Sequence, residues 1–236
     1  MFNNKSIPII ERGSGKPLIF LHGFGCSKEF FASQINYFSR YYRVIAYDLY
    51  GFGKNVPATR AYNLADYVAE FNKVAIKYGE RVSVVAHSFG CRVALKSMAE
   101  SNVIEKAVLC GVAGLKPYFS LKKAIKRRVY RLAKPFFSKQ KLEKAFFSSD
   151  YNSLDDVMKT TFKLVTNEYL DGSLRKIKAP TLVIFGENDD QTPPKLARRL
   201  TENISNCESY IMKNCGHFCY AERANEFNNV VREFLI

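Results

Sequence analysis

The sequence predicts an α/β protein: a mainly parallel central sheet flanked by helices, with a helical cap inserted into it. Three observations carry this reading. Short apolar runs without strict alternation, the pattern of strands buried on both faces, recur along the 236 residues. Stretches of helical periodicity separate them, and strand–helix alternation implies parallel strands joined by right-handed crossovers. Between Val112 and Ala179 the alternation stops, and it resumes afterwards.

Taken in order, "SIPIIERGSGK" reads as an amino-terminal strand and turn. Ser14 within it is turn chemistry, because "RGSGKP" lacks the full phosphate-loop pattern. The buried strands are expected at Pro17–Gly23, Arg43–Leu49, Arg81–His87, Lys106–Val112 and Thr181–Glu187, with a sixth at Cys207–Asn214. Helices are expected at Asn63–Tyr78, Phe89–Glu100, Pro193–Asn203 and Glu222–Leu235. The Pro193-Pro194 pair suits a first helical turn, where a missing N–H costs nothing. Residues 1–114 and 171–236 thus form the core, and 115–170 the inserted cap.

Composition narrows the class. With 47% hydrophobic and 25% charged residues, the chain reads as a soluble globular protein rather than a disordered one. No apolar run approaches the ~18–20 residues of a transmembrane segment. The first residues lack the basic-then-apolar pattern of a signal peptide. The six cysteines are therefore expected as reduced thiols and the protein as cytoplasmic.

Ser88 stands at the sharp end of the run "RVSVVAH", and helix-forming residues follow at once. A strand–turn–helix of that kind lifts the turn residue above the carboxyl end of the sheet, where open α/β sheets bind ligands. Ala86-His87-Ser88-Phe89-Gly90 matches the nucleophile-elbow pattern G-x-S-x-G except for Ala86 in place of the first glycine. Ser88 could equally be a plain helix cap. A serine nucleophile needs a base, and the base an orienting carboxylate. Of the three histidines, His22 follows a strand in "LHGFG" and His87 adjoins Ser88, which leaves His217, in the loop before the final helix. Asp189, at the end of "LVIFGEND", is the candidate carboxylate; Asp190 is its competitor, and the spacing from Gly186 favours Asp189.

The motifs "HGFG", "DLYGFGKN", "AHSFG", "GENDD" and "CGH", in this order and spacing, resemble the α/β-hydrolase fold superfamily over essentially the whole chain. The resemblance implies the α/β-hydrolase fold, a Ser88–His217–Asp189 triad, and an oxyanion hole from the backbone N–H groups of Phe24 and Phe89. Asp48 is expected to tie down the turn after its strand, as the matching aspartate does in the family. The Ser nucleophile argues against epoxide hydrolases and haloalkane dehalogenases. The reaction implied is hydrolysis of a small-molecule carboxylic ester or thioester through an acyl-enzyme. Carbon–carbon bond hydrolysis, cofactorless lyase chemistry with the same triad, and non-catalytic ligand binding remain alternatives. No cofactor is expected. No metal is expected either, because Cys215-Gly-His217-Phe-Cys219 lacks the spacing of a structural zinc site.

The insertion is where the charge lies. Lys116 to Lys144 holds eleven basic residues and one acid, Glu143, a net +10 of the chain's +14. Leu121, Ala124, Ile125, Val129, Leu132 and Phe136 recur within it at helical spacing, so a basic amphipathic helix is expected. Its charged face could simply be solvated. It could also meet an acidic partner such as an acyl carrier protein, as in the similarly sized pimeloyl-carrier-protein methyl esterases, or an anionic membrane surface. No nucleic-acid-binding motif accompanies it.

Overall fold

Segments of four to seven residues become the strands. The computed structural model describes residues 8–55, 57–118, 128–129, 132, 135 and 149–236. Seven strands, β1 (Ile9–Arg12), β2 (Pro17–Leu21), β3 (Arg43–Tyr47), β4 (Val82–His87), β5 (Ile104–Cys110), β6 (Thr181–Gly186) and β7 (Cys207–Met212), form one sheet in the order β1-β3-β2-β4-β5-β6-β7. β1 pairs antiparallel with β3, and every other pair is parallel. The helices are α1 (Ala32–Phe38), α2 (Leu64–Ile76), α3 (Phe89–Glu100), α4 (Ser149–Ser153), α5 (Asp156–Asn167), α6 (Leu196–Asn203), α7 (Cys219–Glu222) and α8 (Ala224–Leu235).

The pleat sends alternate residues of each strand to opposite cores. Ile19, Leu21, Val84 and Ala86 pack with Phe71 and Val74 of α2, Leu95 of α3 and Leu200 of α6. Leu18, Phe20, Val85 and Val108 pack with Ile35 and Phe38 of α1 and Phe227 and Val231 of α8. Two helical layers therefore enclose the sheet, and its central strands are apolar on both faces.

Local signals explain the helix ends. Asn63 and Asp66 form a reciprocal capping box at the start of α2, with hydrogen bonds of 3.0 and 2.8 Å. α6 begins at Leu196 rather than Pro193, because the two prolines occupy a preceding turn in which Leu196 and Ala197 donate to the Pro193 and Pro194 carbonyls. The expected last helix starts two residues late, at Ala224, because the Arg223 backbone leaves the helical region (φ −131°, ψ 54°), and the short α7 precedes it.

The chain leaves the sheet after β5 and returns beside its exit. The Leu170 N–H donates to the Gly114 carbonyl at 2.9 Å, and the Lys116 N–H to Asp171 Oδ2 at 2.8 Å. α5 is tied to the core by the Tyr62 N–H donating to Thr161 Oγ1 (3.0 Å) and by Arg92 Nη1 donating to the Val165 and Glu168 carbonyls (both 2.7 Å). A cation at a helix carboxyl end is favourably placed. The expected basic amphipathic helix lies outside the described residues apart from Arg128, Val129 and Leu132, which are helical and exposed.

Asp48, at the end of β3, holds its turn as expected. Its buried carboxylate accepts from the Lys28 ammonium and from the Lys28 and Lys54 N–H groups (2.8 and 2.9 Å). A Cβ on Gly53 would stand about 2.4 Å from this carboxyl, so the turn needs a glycine there. Asp48→Ala would leave the buried Lys28 ammonium with only the exposed Glu29 carboxylate (3.1 Å) as its ion-pair partner and is predicted to cost about 3–5 kcal/mol in urea denaturation. The Lys28→Met, Asp48→Ala double variant should recover much of that loss. A cost below about 1 kcal/mol for Asp48→Ala would contradict this assignment.

Candidate active site

Ser88 lies between β4 and α3 with φ 49° and ψ −107°, in the left-handed half of backbone space. Among the described residues other than glycine, only Asn214 shares a positive φ. Such a backbone costs about 1–3 kcal/mol and persists only where its surroundings impose it. They do so here on three sides. The Ser88 N–H donates to the Cys110 carbonyl (2.9 Å), and the Ser88 carbonyl accepts from the Cys91 N–H (3.1 Å). A Cβ on Gly90 would fall 2.3 Å from the Leu21 carbonyl oxygen, so α3 can approach β2 this closely only with glycine there. Ala86, at the position of the first motif glycine, is fully buried without disturbing the turn.

Asp189 and His217, 28 residues apart, meet at 2.8 Å between Oδ2 and Nδ1, with both side chains buried. A carboxylate accepts, so Nδ1 carries the proton and the lone pair of the neutral ring sits on Nε2. Asp189 is itself heavily held: Oδ1 accepts from the Gln191 and Thr192 N–H groups (2.9 and 2.8 Å), and Oδ2 from the Thr192 hydroxyl (2.7 Å). Burial pushes the Asp189 pKa up, but the hydrogen bonds from His217 and Thr192 outweigh it and hold the carboxyl below its ordinary value. Asp190 is exposed and points elsewhere, lining a cavity of about 390 Å³ with Arg92, Val112, Tyr118, Thr192 and Lys195.

His217 is brought to the elbow by two close approaches. A Cβ on Gly111, the residue after the Cys110 that holds Ser88, would lie 3.0–3.1 Å from the His217 ring. The His87 and His217 rings stand 4.7 Å apart. On the other side of Ser88, a Cβ on Gly23 would lie 3.4 Å from the Ser88 Cβ, which places the Gly23-Phe24-Gly25 loop beside the turn. Phe89 is the first residue of α3, so its N–H has no partner within the helix. The Phe24 and Phe89 rings pack edge-to-face at 5.6 Å, and Phe162 of α5 closes over Phe24 at 5.1 Å.

The other candidate groups are engaged in structure. His22 Nδ1 donates to the Gly23 carbonyl (2.8 Å) and its Nε2 accepts from the Leu49 N–H (3.0 Å). The cysteines flanking His217 do not converge on it: Cys219 Sγ faces Cys110 Sγ at 3.3 Å, and Cys215 Sγ donates to the Met212 carbonyl. Two residues of the site were not foreseen. Thr192 carries a hydroxyl three residues after an acid, an ordinary turn signal, and its contact with the His217 ring (3.3 Å) depends on the tertiary fold. His87 looked from the sequence like a mere neighbour of Ser88.

The chain matches the model of the alpha/beta hydrolase family over residues 18–230. It belongs to that family. It is 28% identical to the 2-hydroxy-6-oxo-6-(2'-aminophenyl)hexa-2,4-dienoic acid hydrolase of Metapseudomonas resinovorans, across 96% of this chain and 86% of that protein. It is 23% identical to the (E)-2-((N-methylformamido)methylene)succinate hydrolase of Acinetobacter baylyi, across 99% and 95%. Among solved structures, the CarC serine hydrolase involved in carbazole degradation superposes with a TM-score of 0.75 at 25% identity, covering 96% of this chain and 93% of that one. The EaEST esterase of Exiguobacterium antarcticum shares the fold, with a TM-score of 0.75 at 24% identity over 97% and 94%.

The strain at Ser88 is measurable. Ser88→Gly should stabilise the protein by about 1 kcal/mol in thermal or chemical denaturation, since glycine adopts positive φ freely. An unchanged or lowered stability would mean that the turn is not strained.

Proposed function

We propose that this hydrolase works through an acyl-enzyme on Ser88, with His217 as general base, Asp189 as its orienting carboxylate and the Phe24 and Phe89 N–H groups as the oxyanion hole. The observation that carries the reading is the buried Asp189–His217 hydrogen bond beside the strained Ser88 turn. Its direction leaves Nε2 as the basic nitrogen. In the first half-reaction Ser88 Oγ attacks the substrate carbonyl as its proton passes to His217, and the protonated imidazole then delivers that proton to the leaving group. In the second half-reaction His217 takes a proton from water as the water oxygen attacks the acyl carbon, then returns it to Ser88 Oγ as the acyl–serine bond breaks and the acid leaves. Asp189 does not move; it fixes the tautomer and stabilises the imidazolium. These steps use the named side chains, water and substrate alone.

The relatives' names favour a carbon–carbon bond in an unsaturated oxo-acid as the bond broken. A carbon leaving group is far more basic than an alkoxide, so the substrate must be conjugated to stabilise it. A carboxylic ester or thioester, whose leaving group makes no such demand, is the second reading, and the same attack serves it. Residues 115–170 are read as a cap over the site, supported by α5, which packs Phe162 on Phe24. The net charge of the basic run between Lys116 and Lys144 favours an acidic partner. Six free thiols suit a reducing, cytoplasmic setting.

Turnover of a panel separates the readings: a conjugated 2-hydroxy-6-oxo-dienoate, p-nitrophenyl and methyl esters, and acyl thioesters. The wild-type protein should bleach the dienoate with kcat/KM well above that for the esters, and Ser88→Ala should abolish the activity. Asp189→Asn should lower kcat by about 10⁴-fold with folding intact, through loss of imidazole orientation. Preference for the esters would select the second reading. A folded wild-type protein inert on the whole panel, or an active Ser88→Ala, would overturn the catalytic assignment.

A further inference from the structure

His87 is 1% exposed and wedged between the two halves of the site. Its Nε2 lies 3.0 Å from the His217 carbonyl oxygen. A carbonyl only accepts, so Nε2 carries the ring proton and donates it. The ring packs against those of His217, Phe218 and Tyr220 at 4.7–5.0 Å. Its other nitrogen, Nδ1, is buried without a hydrogen-bond partner and faces Gly23, where a Cβ would come within 2.9 Å of it. His87 thus touches the loop assigned to the oxyanion hole on one side and the backbone of the assigned base on the other.

Among the described residues, the loop that bears His217 is also held at its shoulders. The Cys215 carbonyl accepts from the Asn188 N–H (2.9 Å), and the Gly216 N–H donates to Glu222 Oε2 (2.9 Å). At residue 217 itself, Asp189 and Thr192 hold the ring at Nδ1, and His87 holds the main chain. Gly111 and the Phe218 ring pack against the imidazole itself, and the bond from His87 adds a hold on the main chain that carries it.

We propose that His87 is a positioning residue for His217: the hydrogen bond from its Nε2–H to the His217 carbonyl sets where the basic nitrogen stands relative to Ser88. The inference rests on the reading of His217 as general base. It also explains why a histidine rather than an aromatic hydrocarbon fills this site. A phenyl ring would occupy the volume equally well, and burying a nitrogen without a partner costs about 1–3 kcal/mol. Neutrality matters too. Burial, with the neighbouring His217 adding to it, pushes the His87 pKa down to about 3. The ring therefore brings no positive charge beside the imidazolium that forms during turnover.

Three substitutions test this. His87→Phe keeps the ring and removes the donor. His87→Gln keeps an N–H at about the reach of Nε2. His87→Asn carries its amide one bond shorter. His87→Phe should lower kcat about 10–100-fold with KM within twofold, and His87→Gln should stay within about fivefold of wild type. Should the Phe variant not fold, the amide pair decides: kcat of His87→Gln should exceed that of His87→Asn at least fivefold. The downfield proton resonance of His217 Nδ1–H should keep its wild-type position in the Gln variant and move in the other two. Equal kcat in the Gln and Asn variants, a Phe variant as active as wild type, or a loss confined to KM would each overturn the proposal. His217→Ala, assayed in parallel, tests the underlying reading separately: full activity there would remove the base, whatever the His87 series shows.

Discussion

The left-handed backbone at Ser88 is the constraint from which the rest of the site follows. A serine accepts φ 49° only because neighbouring strands and a helix hold it there. The approach of α3 to β2 is set by Gly90, whose position leaves no space for a side chain against the Leu21 carbonyl. The Cys110 carbonyl takes the Ser88 N–H, which ties the turn to the adjacent strand. That strand continues into Gly111, against which the His217 ring packs. One strained residue thus links the end of β4, the helix behind it and the His217 ring beside it.

Electrostatics around the turn act in one direction. Asp189 is buried, which by itself disfavours a carboxylate, yet its hydrogen bonds keep it ionised beside His217. His22 and His87 are driven toward their neutral forms chiefly by burial, so neither adds a cation near the assigned base. Among the described residues, the negative charge of Asp189 is the one full charge hydrogen-bonded to the His217 ring. A base that must become a cation during turnover is best served by such a setting.

Much of this was legible in the residues. The central strands announced themselves because strands buried on both faces must be continuously apolar, as "SVVAH" and "LVIF" are. Ser88, Asp189 and His217 could be singled out because a serine, a carboxylate and a histidine fall after successive strands in the chain order that the resemblance implies. Less visible were features that depend on contacts between distant segments. α1 and the turn before it follow a glycine-rich loop and carry mixed residues, so no periodicity marked them. Arg223 reads as an ordinary helical residue, but its backbone is not helical and the last helix begins after it. Thr192 and His87 acquire their roles only where the β6 and β7 loops meet over β4.

The central claim is that the fold makes Ser88 a nucleophile served by His217. The rate of covalent modification by a fluorophosphonate, followed by intact-mass spectrometry and peptide mapping, tests it most directly. The account predicts a single adduct on Ser88 in the wild-type protein, slowed about a thousandfold or more in His217→Ala. An adduct on another residue, or equal rates in the two proteins, would contradict it.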